Sequence, residues 1–449
     1  MYSMLRNKLQ ENLSDKNFSE ILKGSVWALG AKVVATALGL VTSVIIARRY
    51  GADILGIVAV VQSFLLLATL FTLLGTKTSI LRLIPEHLAK YSASSAFAVY
   101  RTILLLVVCT SLTAGAVLFF SSGFVARVVF SKEHLRFYFA LASVFIVCNS
   151  LMLLTQEAVR GLRLIRAFAL MQLLPQLAKL LILLPLTFLL FHQDNPVYAL
   201  MGSYAVTAMI GLWIMHHVFN QRIQPSDPLH VVPVREVLAI SLPMLMTATM
   251  TFIIGETGVL MLGMFRPEAE VGYYSIAVKL ATLTSFVLTA INSMAAPKFS
   301  ELYHSNKIDE LFSIAKKSSK LIFWTTTPIL LFFIFLGKPV LQTIFGEPFG
   351  AAYPALVLLI LGQFVNSISG ATGYFMNMTG HQNMFRNIVF VAALANILLN
   401  VLLTPRYGLH GAAIAAMVSI ITWNVATLIY IKSKFGKTTG YFPLVTRKI

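Results

Sequence analysis

The chain has 449 residues, 57% of them hydrophobic and only 12% charged, and its mean hydropathy of +0.80 lies well above that of water-soluble domains. Lys and Arg number 35 against 17 Asp and Glu, a net charge of +18. These charges are scattered among short loops and tails rather than gathered on one domain, which excludes a nucleic-acid binder and makes anionic lipid the expected partner. The composition predicts an all-α polytopic membrane protein, because apolar runs this long and continuous cannot be the alternating strands of a barrel.

Twelve apolar spans are predicted, at residues 26–47, 54–75, 100–120, 138–156, 167–191, 197–219, 237–265, 272–296, 321–337, 353–376, 387–404 and 409–431. They group into a cytoplasmic N-terminal segment (1–23), an N-terminal six-helix bundle (24–219), a cytoplasmic linker (220–236) holding Pro225, Pro228 and Pro233, a C-terminal six-helix bundle (237–431) and a cytoplasmic tail (432–449). The N-terminal tail, the even-numbered loops and the C-terminal tail hold 24 of the cations and the odd-numbered loops 8. That asymmetry predicts both termini in the cytoplasm. No signal peptide is expected, since the first 23 residues are polar and lead into a span too long for one. Leu5, Leu9 and Leu13 share a helical face near Arg6, Lys8 and Lys16, so this segment reads equally as a membrane-surface helix or as a disordered tail.

The first span carries Lys32 with Thr36, Gly39 and Ser43 on one stripe, then a basic stop at Ala47-Arg48-Arg49-Tyr50-Gly51, then Gly56 opening the next run. Arg48 and Arg49 read as a topological stop. The outline recurs from Ser241: an apolar run with Glu256 inside, a stop at Phe265-Arg266-Pro267, and Gly272. Ser25 and Ser241 share their spacing with Gly56 and Gly272, which predicts two related halves that rock about a central site.

Three cations fall inside spans: Lys32, Lys179 and Lys279. Lys32 sits near one end, where its chain can snorkel to the headgroups. Lys179 lies about 18 Å into its span at about 1.5 Å per residue, beyond easy snorkelling. A charge at that depth costs at least about 2.5 kcal/mol, so it should face a wet cavity or an anion. Gln172 and Gln176 lie on its face, and Pro175 and Pro185 interrupt the same helix. Lys279 has Ser275, Thr282, Thr289 and Ser293 near its face, again the pattern of a cavity lining. The three lysines are the candidate substrate-binding residues. Glu256, flanked by Gly255 and Gly258, is the candidate ion-coupling residue, and two readings stay open for it: a structural pair with Lys279 or Lys179, or uptake and release of a proton.

Between spans 4 and 5, Arg160, Arg163 and Arg166 are spaced by three and so share roughly one helical face. They read equally as phosphate-steering residues and as an ordinary positive-inside loop. Gln363, Asn366, Gly370 and Asn377 repeat the cavity-lining pattern in span 10, and the asparagines among them read as packing glue between helices. Cys109 and Cys148 lie in different spans and read as packing residues, and His216 and His217 are neighbours that face apart, so no metal site and no cofactor is expected.

Near the C-terminus, Asn396 and Asn400 lie in an apolar helix that leads to Thr404-Pro405-Arg406-Tyr407-Gly408, where Pro405 is expected to end the span and Gly408 to supply the turn. Gly411 to Ala416 then form a small-residue helix. This stretch resembles the C-terminal signature of polysaccharide-transporter flippases in the multidrug/oligosaccharidyl-lipid/polysaccharide exporter superfamily, and Ala47 to Gly56 resembles that family's first hairpin. The resemblance implies a MATE-like fold of two six-helix bundles, with helices 1 and 8 flanking a lateral opening. It implies a Wzx-type O-antigen flippase of the bacterial inner membrane. Such a protein moves an undecaprenyl-diphosphate-linked oligosaccharide to the outer leaflet by ion-coupled alternating access. It is not an enzyme, and its partners are that lipid-linked oligosaccharide, membrane lipids and other polysaccharide-assembly proteins. Two rival readings remain: a MATE-type multidrug exporter, whose cationic substrates would sit badly beside three intramembrane lysines, and an O-antigen polymerase or glycosyltransferase, for which the odd loops are short and hold no carboxylate pair.

Overall fold

The computed structural model describes residues 16–223 and 230–441. The amphipathic segment holding Leu5, Leu9 and Leu13, the linker prolines Pro225 and Pro228, and the tail beyond residue 441 lie outside the described residues. All regular structure among the described residues is helical. In chain order the helices are α1 (Lys16–Thr72), α2 (Thr76–Lys90), α3 (Ala93–Phe124), α4 (Arg136–Gly161), α5 (Ile165–Leu189), α6 (Asn195–Arg222), α7 (Val234–Phe265), α8 (Glu268–Leu283), α9 (Ser285–His304), α10 (Ile308–Phe345), α11 (Tyr353–Ser369), α12 (Thr372–Met378), α13 (Gln382–Tyr407) and α14 (Leu409–Phe435).

Among the described residues ten helices are long and apolar enough to cross a membrane, eleven when the α8–α9 pair, bent by 40°, counts as one span. The longest of them, Leu29–Thr72, runs 44 residues and breaks at Gly51, whose φ of 87° is closed to most side chains. At about 1.5 Å per residue it is roughly twice as long as a bilayer core is thick, so it makes two crossings and the total becomes twelve. Helices are the only open-chain answer to an apolar solvent, because each satisfies its backbone polar groups internally. Phe120, Phe188 and Phe335 point outward, as lipid-facing residues should.

Two spans are broken where the sequence predicts an unbroken run. The eighth span does not run unbroken from 272 to 296 but bends at Thr284 between α8 and α9. The tenth stops at Gly370, where a φ of 72° brings the backbone against Ser319, and the short α12 follows.

One apolar core, containing Val60, Phe130, Phe139, Val271 and Leu341, joins the two halves at the end where the 48–56 and 266–272 turns lie. At the other end the cores separate. One cluster, around Ile84, Val99 and Phe219, belongs almost wholly to the first half, and another, around Phe299, Phe375 and Ile431, belongs to the second. The halves are therefore closed together at one end and parted at the other.

The closure rests on a reciprocal contact. A Cβ added at Gly56 would collide with the Glu268 carbonyl, and one added at Gly272 would collide with the Ala52 carbonyl. Gly56 and Gly272 share the repeat spacing, and so do Ala52 and Glu268. Each half thus presents the same bare backbone patch to the other, as an approximate two-fold axis demands. Gly56→Ala should cost about 1–3 kcal/mol through overpacking, seen as a lowered thermal midpoint of the purified protein; an unchanged midpoint would refute the close approach.

Candidate functional site

A cavity of about 480 Å³ lies where the halves part, lined by Lys32, Lys179 and Lys279 together with Gln62, Asn149, Gln156, Gln172 and Gln176. Lys179 is only 8% exposed and its ammonium has no hydrogen-bond or ion-pair partner among the described residues. Lys279 reaches across the halves from α8 and donates to Ser43 Oγ at 2.8 Å. Lys32 is the outermost of the three: it is exposed, and its Nζ sits 5.6 Å above the Phe286 ring. Among the described residues no Asp or Glu lines this cavity. Gln172 Oε1 and Asn149 Oδ1 are buried without partners, which leaves acceptors ready for water or ligand hydroxyls. Sequence periodicity places Gln172, Gln176 and Lys179 on one face of α5; the glycine at 39 lets Gln176 approach α1, since a Cβ there would lie 3.3 Å from its Oε1.

Glu256 stands outside the lysine cavity. It lines a neighbouring space of about 710 Å³ between the second crossing of α1 and α7, with Lys77 near the same opening. Ser63 donates to its Oε2 at 2.6 Å, and no cation lies within ion-pair distance among the described residues. Its partner in this structure is thus a hydroxyl from the opposite half. At the same seam Ser79 and Ser241 hydroxyls meet at 2.6 Å. Near the start of α1, Gly30 faces open space: a Cβ there would meet nothing within 4 Å.

The three loop arginines do not share a helical face. α4 stops at Gly161 and α5 starts at Ile165, with Arg163 in the left-handed region (φ 57°) between them. Arg160 pairs with Glu157 at 3.3 Å and covers the Phe168 ring, and none of the three lines the lysine cavity. The spacing of three was regular, but Gly161 and the left-handed turn rotate the frame between the helices.

A second cavity, of about 590 Å³, lies within the second half and shares Thr282 with the first. Asn377 faces it and is exposed, without a partner, so the packing-glue reading fails for this residue. Asn366 is buried and donates to Gln363 Oε1 at 3.2 Å, a contact within α11 rather than between helices.

Sequence reasoning missed the latch at the closed end. Lys132 pairs with Glu268 at 3.1 Å, both side chains 15% exposed, and its Nζ also donates to the Arg266 carbonyl at 2.5 Å. His134 Nε2 lies 2.9 Å from Glu268 Oε1. Arg48, read as a stop signal, donates to the Thr343 and Ile344 carbonyls at the end of α10 and so caps a helix of the other half. The C-terminal signature supports the same end. α13 runs two residues past Pro405, contrary to expectation, and ends at Gly408 with φ 54°. Arg266 donates to the Arg406 carbonyl at 2.8 Å, and Glu270 accepts from Leu409 N at 3.0 Å, placing a carboxylate at the start of α14.

A sequence model described as polysaccharide biosynthesis protein matches residues 55–354. Among curated proteins the chain is similar to the probable low-salt glycan biosynthesis flippase Agl15 of Haloferax volcanii, 22% identical over 39% of this chain and 37% of that protein. The curated relatives are matched over only 35% to 53% of their own lengths. Two solved structures share the fold. An inward-facing multidrug resistance MATE family transporter of the MOP superfamily superposes with a TM-score of 0.71 at 14% identity, covering 92% of this chain and 98% of that one. The lipid II flippase MurJ in an inward closed conformation gives 0.69 at 13% identity, covering 91% and 87%.

If the Lys132–Glu268 pair holds the closed end, Glu268→Gln should raise the labelling of a cysteine introduced at Gln62 by an impermeant maleimide applied from that end, several-fold, in a background with Cys109→Ser and Cys148→Ser. Labelling that does not change would assign the closure to apolar packing alone.

Proposed function

Because the chain belongs to the polysaccharide biosynthesis protein family, we propose that it is a flippase for undecaprenyl-diphosphate-linked oligosaccharide, an O-antigen or related repeat unit. On this reading it carries that lipid from the cytoplasmic to the outer leaflet of a bacterial inner membrane by alternating access. The observation that supports this best is the gathering of Lys32, Lys179 and Lys279 on one polar cavity with no acid in its lining. A diphosphate cannot cross hydrocarbon unaided, because its charges would shed their hydration with nothing in exchange. A cationic, amide-lined space replaces part of that hydration, while a lateral opening beside Gly30 of α1, which faces open space, would let the lipid tail stay in the bilayer.

Each lysine has its own part. Lys32 at the mouth meets the phosphates first, its ammonium free to swing. Lys179, deepest and unpartnered, holds them within the cavity. Lys279 stands on the other half and already touches Ser43 across the gap, so a bound anion there would bridge the two halves. Lysine suits a group that must be passed along, since its ammonium is a mobile point charge without arginine's bidentate grip. A cationic drug would find three repelling charges and no carboxylate here, and glycosyl transfer would find no carboxylate pair in this lining.

Hydrogen bonds to charged groups are worth about 1.5–3 kcal/mol, so Lys179→Ala should slow surface-glycan appearance about tenfold or more at normal protein abundance. Lys179→Arg should keep part of the activity, and Lys32→Ala and Lys279→Ala should be milder. Full activity of an inserted, normally abundant Lys179→Ala protein would sink the phosphate role.

Glu256 is proposed as the proton-coupling group. Its carboxylate accepts from Ser63 of the other half, and protonation would make it a poorer acceptor and loosen that seam. In vesicles, Glu256→Gln should leave transport insensitive to an imposed pH gradient. Gradient-driven transport equal to the unsubstituted protein would reduce Glu256 to a structural partner.

A further inference from the structure

The two halves share a fold but not the chemistry of their cavities. The cavity within the second half contains no lysine and no acid. Its polar groups are side-chain amides and the hydroxyls of Thr247, Thr251, Thr282 and Tyr274, with Arg386 the one cation among the described lining residues. Asn377, Gln382, Asn383 and Arg386 are all exposed to it, and none has a hydrogen-bond or ion-pair partner among the described residues. The rings of Phe385 and Trp423 line the same cavity, 6.0 Å apart between centroids and inclined at 77°, so that two ring surfaces meet at a corner. The space, about 590 Å³, lies in the range of about 300–1,000 Å³ typical of small-molecule sites.

Three classes of occupant can be weighed. A lipid chain would leave the amides facing hydrocarbon, at about 1–3 kcal/mol for each group left unpaired. A diphosphate would find one arginine where the neighbouring cavity offers three lysines. A sugar answers both sets of groups. Each pyranose ring has an apolar face of C–H groups that lies on an aromatic surface and an edge of hydroxyls that both donate and accept. A side-chain amide also does both. Thr282 lines this cavity and the lysine cavity alike, so the two spaces adjoin. One molecule can therefore have its phosphates in the first and its sugars in the second.

We infer that the cavity bounded by Asn377, Asn383, Phe385, Arg386 and Trp423 is a glycan-binding subsite, which holds the uncharged or weakly acidic sugars of the substrate while Lys32 and Lys179 of the first half and Lys279 of the second hold its diphosphate. This rests on the proposed transport of a lipid-linked oligosaccharide and adds where its sugars are read. Substrate recognition is thereby divided across the moving interface. The phosphate site is common to every lipid-linked glycan, and the sugar preference resides in the second half.

Trp423 supplies its own reporter. With Trp27→Phe, Trp213→Phe and Trp324→Phe it is the sole remaining tryptophan of four. The probe is the free glycan released by mild acid from the lipid-linked pool that accumulates in cells lacking this chain, titrated into the purified full-length protein. It should quench Trp423 emission saturably. Asn377→Ala with Asn383→Ala should weaken that binding tenfold or more and leave calorimetric binding of inorganic pyrophosphate unchanged, and Lys179→Ala should do the reverse. The two amides make no side-chain hydrogen bond among the described residues, so their loss should not unfold the chain, and an equal thermal midpoint checks this. If a lipid-linked glycan accumulates but its free glycan leaves Trp423 unmoved, or the amide substitutions weaken pyrophosphate as much as glycan, the subsite is overturned and the transport reading stands. If no lipid-linked glycan accumulates, both fall.

Discussion

The structure depends on backbone meeting backbone at Gly56 and Gly272. Each glycine faces a carbonyl of the opposite half, and the two carbonyls, of Ala52 and Glu268, are themselves repeat partners. A contact of this kind cannot be adjusted by rotating a side chain, so it fixes the distance and register of the halves at one end. Dispersion between closely approaching helices is the main attraction available where lipid is as apolar as the protein surface. Everything polar at the site follows from where this pivot lies. With the halves joined at the 48–56 and 266–272 turns, their other ends must diverge, and the intramembrane lysines fall in the space that opens.

Polar interactions then make the pivot releasable. Lys132 and Glu268 pair across it, and Arg48 caps α10 from the other half. The turn that carries Glu268 is held by Arg266 and Glu270 against Arg406, Gly408 and Leu409. The Pro-x-Tyr-Gly turn near the C-terminus thus props the segment that meets the first half, some 140 residues away in the chain. Gly408 serves there twice: its φ of 54° ends α13, and its missing side chain leaves room for the Glu270 carboxylate and the Arg266 guanidinium.

Much of this was legible in the sequence, for physical reasons. Apolar run length reports spans directly, because the bilayer sets a minimum. Repeat spacing reported Gly56 and Gly272 as partners, since a two-fold related contact needs the same residue on both sides. Burial cost marked Lys179, whose isolation in an apolar helix is costly without a cavity. What stayed hidden depends on partners distant in sequence. Arg48 looks the same whether it ends a span or caps α10 nearly 300 residues on. Lys132 sits in an ordinary basic loop until the fold sets Glu268 beside it. The arginines at 160, 163 and 166 failed through a local cause: one left-handed residue between helices destroys a periodicity that the letters preserve. Asn377 was taken for glue because an amide pattern does not say whether its neighbours are helices or empty space.

The asymmetry between the two cavities says how such a machine can be both general and selective. Charged groups recognise a diphosphate with little regard for what it carries, and three of them gather where α1, α5 and α8 meet. Amides and aromatic rings discriminate by shape and hydroxyl pattern, and they gather in the second half. Had both functions been built in one half, the substrate would travel with that half and sense nothing of the other. On the proposed reading, with Lys32 and Lys179 on one half and Lys279 and the glycan cavity on the other, the substrate would span the interface that must move. Its two ends then draw the parted ends of the bundle together, against a pivot that is already fixed, and only a molecule carrying both chemistries at the right separation can do so.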